Sequence, residues 1–160
     1  MGRSRESVAD IGMKVDEALL GISRLFLDTS PVIYYVERHP KYFALVQPIF
    51  RRLSRGEFEV VTSPVTLSET LMFPIRNKNL QQQKDFTDVV TTAAFTNFVL
   101  IDAAIAGKAA QLRVQYSLKL PDALQIATAI QARCDGFLTN DLQLKKVTEL
   151  RILVIEELEV

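Results

Sequence analysis

Residues 25–35 read LFLDTSPVIYY, and their run of three large apolar residues stops abruptly on an aspartate. A short apolar run closed by turn residues predicts a strand buried on both faces. Ser30 ahead of Pro31 reads as an N-cap with proline at the first helical position, so a helix is expected to start at once. Asp28 then lies just past the carboxyl end of a central strand, at the edge of an open α/β sheet where ligands bind. The plainer alternative is that Asp28 only helps cap the helix behind it.

Working outward, the same alternation recurs. Strands are expected at 25–28, 57–62, 98–101, 136–139 and 152–155, with helices near 31–37, 41–55, 64–73, 79–94, 103–117 and 121–133. Short apolar strands alternating with helices predict a three-layer α/β/α domain around a central, mostly parallel five-stranded sheet. Ahead of it, Val8, Ile11, Val15, Ala18, Leu19 and Ile22 recur at three- and four-residue spacing. That periodicity predicts an amphipathic helix over 8–22. The division is therefore an N-terminal helical extension, 1–24, and a catalytic-type domain, 25–160.

Composition limits the chemistry. With 160 residues and 48% hydrophobic content, the chain is long enough for one well-buried core. Asp102 interrupts the richest apolar region, 93–107, so no membrane span is expected, and charged residues at the N-terminus do not read as a secretory signal. A cytoplasmic protein is expected. Cys134 is the single cysteine and His39 the single histidine, which excludes an internal disulfide and argues against zinc or a histidine-based triad. Catalysis has to rest on carboxylates, hydroxyls, lysine or arginine. Nineteen basic residues balance nineteen acidic ones, which disfavours purely electrostatic nucleic-acid binding but leaves room for a local basic patch.

Four acids stand out. Asp28 has been described. Glu69, in SPVTLSETLMF, shares a helical face with Val65, Met72 and Phe73, and a carboxylate on a buried apolar stripe is costly unless compensated. Asp122, in KLPDALQIATAIQA, aligns with Ile126, Ala129 and Ile130. Asp141 ends GFLTND, just past a strand. Each has an ordinary explanation: a cap, a rim-exposed side chain, a favourable first-turn charge. Jointly they share one sheet edge. Like charges gathered there call for a divalent cation, and an oxygen-only donor set selects Mg²⁺ or Mn²⁺, ions that serve phosphate chemistry. Asp102 is set aside as the cap of the helix it precedes, and Asp135 as belonging to the opposite edge.

With these motifs in this order, the sequence resembles the PIN-domain family, and within it the compact ribonucleases that act as toxins of bacterial toxin–antitoxin pairs. The resemblance rests on FLDTS at 26–30, Ser68-Glu69, Asp122-Ala123 with Ala127 and Ala129, and Phe137-Leu138-Thr139-Asn140-Asp141. It spans about 25–156, and the 24-residue extension departs from the family's usual early first strand. It implies a metal-dependent endoribonuclease that hydrolyses RNA phosphodiesters. Asp28, Glu69, Asp122 and Asp141 would be its catalytic and metal-binding cluster, Ser30 and Thr139 its supporting hydroxyls, and Mg²⁺ or Mn²⁺ its cofactor. It also implies an RNA substrate, a small antitoxin partner and a homodimer. Asn140 is assigned no role.

Lys145 and Lys146, just after Asp141, are the better candidates to guide RNA, while Arg51, Arg52 and Arg55 read as a solvated helix face. Tyr34 and Tyr35 read as core or partner-facing side chains. Two rival readings compete with this one. A haloacid-type phosphatase would want an aspartate at position 30, where serine stands, and a receiver domain would want an acidic pair where Ser23-Arg24 lies. The second rival is a PIN fold that binds RNA or a protein without cleaving.

Overall fold

The computed structural model describes residues 12–160. Along the chain lie β1 (Met13–Lys14), α1 (Val15–Ala18), β2 (Arg24–Leu27), α2 (Thr29–Val36), α3 (Phe43–Ser54), β3 (Glu59–Thr62) and α4 (Pro64–Arg76). Then come α5 (Leu80–Thr87), β4 (Thr96–Phe98), α6 (Ala103–Tyr116), α7 (Leu120–Gln131), β5 (Gly136–Thr139), β6 (Arg151–Val154) and β7 (Leu158–Glu159). The main sheet has the order β4-β3-β2-β5-β6, and every neighbouring pair is parallel. Helices cover both faces, so the layers are α/β/α as the alternation predicts.

Strand alternation divides the core. Leu25 and Leu27 point into one layer with Val32, Ile49 and Phe86, while Phe26 points into the other with Ile105, Leu112 and Ile126. Phe26 stacks on Phe137 of the adjacent strand, ring centroids 5.0 Å apart. Because β2 is central and buried on both faces, an apolar triplet can run without a polar break.

The extension corrects one expectation. Of the helix predicted over 8–22, residues before 12 lie outside the described residues; in the remainder only Val15–Ala18 is helical, and Met13–Lys14 pairs in parallel with Leu158–Glu159. The periodic residues nonetheless do what periodicity requires. Val15, Ala18, Leu19 and Ile22 are all buried in the first core layer. Ile22 approaches β5 so closely that a Cβ added at Gly136 would sit 2.9 Å from its Cδ1. Residues 15–22 therefore belong to the domain's own core.

Other boundaries shift for identifiable reasons. The helix α2 starts at Thr29, with Asp28 as its N-cap and Pro31 two residues inside, instead of at Pro31 behind a Ser30 cap. The helix expected over 79–94 ends at Thr87 and gives way to a π-helical turn, Asp88–Thr92, where β-branched Val89, Val90, Thr91 and Thr92 crowd the helix. The helix α4 carries Pro74 in its last turn and runs to Arg76, not Phe73. The third sheet strand is Thr96–Phe98, not 98–101, because pairing with Val60–Thr62 sets its register. It is an edge strand, so its apolar run is only partly covered.

Candidate active site

Parallel strands end at one edge, and the loops that leave that edge carry the acids. Asp28 follows β2 and is buried. Its Oδ1 accepts from the Thr29 backbone N–H at 2.9 Å, and its Oδ2 accepts from the Thr139 hydroxyl at 2.8 Å. Thr139 ends β5, the neighbour of β2, and its own oxygen accepts from the Asp141 N–H at 3.1 Å. One fully buried hydroxyl thus spaces Asp28 and the Asp141 turn. Asp141 also caps that turn, accepting from the Gln143 N–H at 2.9 Å. The capping explanations raised from sequence are therefore real for Asp28 and Asp141, but capping leaves lone pairs on each carboxylate for other work.

Glu69 reaches the site differently than its helix face suggests. The helix α4 turns Thr66, Thr70 and Pro74 inward, while Met72 and Phe73 are half exposed. Glu69 is exposed and lies on no buried apolar stripe. The cause is the polar anchoring of α4: Ser63 caps it by accepting from the Val65 N–H, and Thr66 bonds the Leu27 carbonyl. Glu69 is instead held by the Thr29 hydroxyl, which donates to its Oε1 at 2.8 Å. The Ser30 hydroxyl, which the resemblance names as a supporting one, bonds none of the described residues, while the neighbouring Thr29 makes the contact to Glu69. Asp122, in the first turn of α7, is half-buried, and Ile126 and Ala129 below it are fully buried.

Electrostatics join the four. Burial pushes the Asp28 carboxyl up to about 6, against the hydrogen bonds from Thr139 and Thr29, and Asp122 and Glu69 push it the same way. Asp122 is also raised, by burial first and then by Asp141 and Glu69, while Lys119 and Lys146 offset part of this. Like charges that disfavour one another's ionised form cost stability, which makes this edge the candidate functional site. Lys119 was not singled out from sequence; its place one residue before α7 was the available signal. Lys145, by contrast, pairs with Glu157 at 2.7 Å.

Asn140, given no role from sequence, anchors the loop between Thr139 and Asp141. Its Nδ2 donates to the Tyr34 hydroxyl at 3.0 Å, and its Oδ1 accepts from the Glu156 N–H at 2.9 Å. Tyr34 in turn stacks with Tyr42, 4.6 Å between centroids. Asp102 accepts from the Ile105 N–H as the cap of α6, and Asp135 accepts from the Ser23 and Arg24 N–H groups at the opposite edge. Both match their sequence reading.

A divalent cation would need several of these side chains at once. Among the described residues, no three acidic, histidine or cysteine side chains converge closely enough to grip one ion as they stand. The donor chemistry suits a hard cation all the same: four carboxylates on one edge, one of them buried with its charged form disfavoured. The softer candidates are occupied elsewhere. His39 Nδ1 accepts from the Lys41 and Tyr42 N–H groups, and burial pushes the Cys134 thiol up to about 12, far from a reactive thiolate.

The family model of the PIN domain matches residues 25–150, the stretch that contains all four acids. The chain belongs to the PIN-domain family. Solved PIN-like structures overlay on it closely in fold, with low identity. VapBC2 from Rickettsia felis, bound to a DNA fragment from its promoter, has a TM-score of 0.65 at 17% identity over 82% of this chain and 98% of that one. A toxin–antitoxin complex from Klebsiella pneumoniae gives 0.64 at 19% identity, covering 82% and 97%. The sarcin–ricin loop cleaving toxin VapC20 of Mycobacterium tuberculosis gives 0.61 at 16%, covering 79% and 98%. No curated protein matches the sequence significantly. Among the described residues of this PIN-domain chain, no helix is long and apolar enough to cross a membrane.

Proposed function

We propose that this PIN-domain protein is a Mg²⁺- or Mn²⁺-dependent endoribonuclease that hydrolyses RNA phosphodiester bonds, acting as the toxin of a toxin–antitoxin pair. The observation that carries the reading is Asp28, buried and fixed by Thr139 and Thr29 while Asp122 and Glu69 oppose its ionisation. Asp28, Glu69, Asp122 and Asp141 are the residues that would hold the metal. A divalent ion there would lower the pKa of a water and offset charge on the phosphoryl oxygens. The chain's own part is orientation: Thr139 aims Asp28, Thr29 holds Glu69, and Lys119 and Lys146 bring positive charge toward the phosphate backbone beside Asp122.

Toxin–antitoxin complexes among the structures of like fold support an antitoxin partner and a cytoplasmic setting. Half-exposed Met72 and Phe73 with exposed Ile75 on α4, and Leu80 at the start of α5, offer apolar surface for an antitoxin or for a second copy in a homodimer. The open spacing of the acids favours a second reading, a PIN fold that binds RNA or protein without cleaving it.

One experiment separates the two. The purified chain with Mg²⁺ or Mn²⁺ should cleave single-stranded or loop RNA, leaving 5′-phosphate and 3′-hydroxyl ends, since direct attack by water needs no 2′-hydroxyl nucleophile. Asp122→Asn should abolish most of the cleavage with little change in fold. Cyclic-phosphate ends, or full activity in EDTA, would overturn the nuclease reading. Metal binding that depends on Asp28 without cleavage of any RNA would select the binding module.

A further inference from the structure

Below the acids lies a polar chain that none of the proposed chemistry uses. Gln125 sits on α7 with 1% of its surface exposed, facing Ser63 and Thr66 of the α4 region, which have none. Its Oε1 accepts from the Ser63 hydroxyl, its Nε2 donates to Thr66 Oγ1 at 2.7 Å, and the Thr66 hydroxyl donates to the Leu27 carbonyl at 3.3 Å. The direction of this relay is fixed. The Leu27 carbonyl can only accept, so Thr66 spends its proton there and has to accept from the Gln125 amide. That leaves Oε1 for Ser63, whose oxygen also receives the Val65 N–H as the cap of α4.

The relay's placement gives it meaning. Gln125 is one turn after Asp122 on α7, Thr66 is one turn before Glu69 on α4, and Leu27 is the residue before Asp28. Three elements that carry three of the four acids are thus joined at one buried point. A buried glutamine is costly unless every polar group is met, and an apolar residue would fill this position of α7 with no such demand. What directional bonds add over apolar contact is register: they fix how two helices and a strand stand relative to one another.

We infer that Gln125 is a positioning residue that sets the spacing of Glu69, Asp122 and Asp28 by tying α7 to α4 and to the end of β2. The inference rests on the metal-site reading above. Gln125 touches neither metal nor substrate; it acts through the helices that bear the ligands.

The test measures Mn²⁺ binding by titration calorimetry and thermal unfolding without metal, on wild type, Gln125→Met, the core variant Leu19→Ala, and Asp122→Asn. Gln125→Met should weaken Mn²⁺ binding about tenfold, the scale on which outer supports of metal ligands act. It should also lower the unfolding temperature, because it leaves the Ser63 hydroxyl without its acceptor. Leu19→Ala removes core contacts away from the relay, so it should lower the unfolding temperature while Mn²⁺ affinity stays near wild type. If Leu19→Ala weakens Mn²⁺ binding as much as Gln125→Met does, affinity only follows stability, and that result overturns the inference. So does Mn²⁺ affinity in Gln125→Met within twofold of wild type, which leaves the metal site itself intact. If wild type binds Mn²⁺ no better than Asp122→Asn, the metal reading falls and takes this inference with it.

Discussion

Thr139 donates its hydroxyl to Asp28 Oδ2 at 2.8 Å and, through the same oxygen, accepts the Asp141 N–H at 3.1 Å. One buried side chain at the end of β5 therefore sets the orientation of an acid on β2 and the course of the loop that carries another. Thr139→Val keeps the shape and deletes both bonds. It should destabilise the fold by about 1–3 kcal/mol, the cost of leaving buried polar groups unpaired. It should push the Asp28 carboxyl higher still, since the Thr139 bond is the largest influence holding it down. Urea unfolding, with Mn²⁺ titration beside it, checks both. Unchanged metal affinity in a correctly folded Thr139→Val would mean that Asp28 needs no such support.

Asp28 gives a pH dependence with a definite sign. Its folded pKa, about 6, lies above the ordinary value of 3.8, so the folded state binds the proton more tightly than the unfolded chain does. This stabilisation is full below about pH 4 and is lost as pH rises through 6. By the shift alone it amounts to at most about 3 kcal/mol. In EDTA, Asp28→Asn should match wild type near pH 4 and exceed it in stability at pH 7, because its neutral amide escapes the desolvation penalty. Added Mn²⁺ should reverse the order at pH 7 by stabilising wild type alone. Parallel unfolding curves across pH 4–7 would show that Asp28 is not the strained acid described.

The segment before β2 makes a separate prediction. Leu19 and Ile22 are each 7% exposed, inside the same apolar layer as Leu25 and Ile49. Leu19→Ala should cost about 2–4 kcal/mol, as a core truncation does, although it lies in what reads from sequence as an appendage. Equilibrium denaturation measures it. A loss under about 0.5 kcal/mol, the size of a surface change, would detach the segment from the core.

What was legible in the sequence follows from which forces act locally. The apolar runs at 25–27 and 136–138 could be read because a strand buried on both faces tolerates no polar break, and Asp28, Thr139 and Asp141 could be placed because they stand within three residues of the end of such a run. The inward face of α4 could not be read. Its periodicity pointed to Val65, Met72 and Phe73, but Thr66 faces inward because Leu27 and Gln125 offer it partners that only the folded chain supplies. The β1–β7 pairing was hidden for the same reason, since its register sets Met13 against Leu158 and Lys14 against Glu159, residues from opposite ends of the described chain. Asn140 looked neutral because its partners, Tyr34 and Glu156, are distant in sequence.

The lysines supply the last prediction. Lys145 is tied to Glu157, whereas Lys119 and Lys146 both act on Asp122 from opposite sides in sequence. Positive charge beside the acids is needed to bring an anionic backbone close to them, so RNA affinity should depend on Lys119 and Lys146 and hardly on Lys145. The clean measurement uses an Asp122→Asn background, where bound RNA is not consumed, and follows affinity against salt. Each lost phosphate contact should reduce the logarithmic salt slope by about 0.7 for a single strand. Lys119→Ala/Lys146→Ala should therefore flatten it by about 1.4 and weaken binding to all sequences alike. Lys145→Ala should leave the slope where it was. If Lys145→Ala flattens the slope and the double variant does not, RNA enters from the Glu157 side of the loop, and the path past Asp122 is wrong.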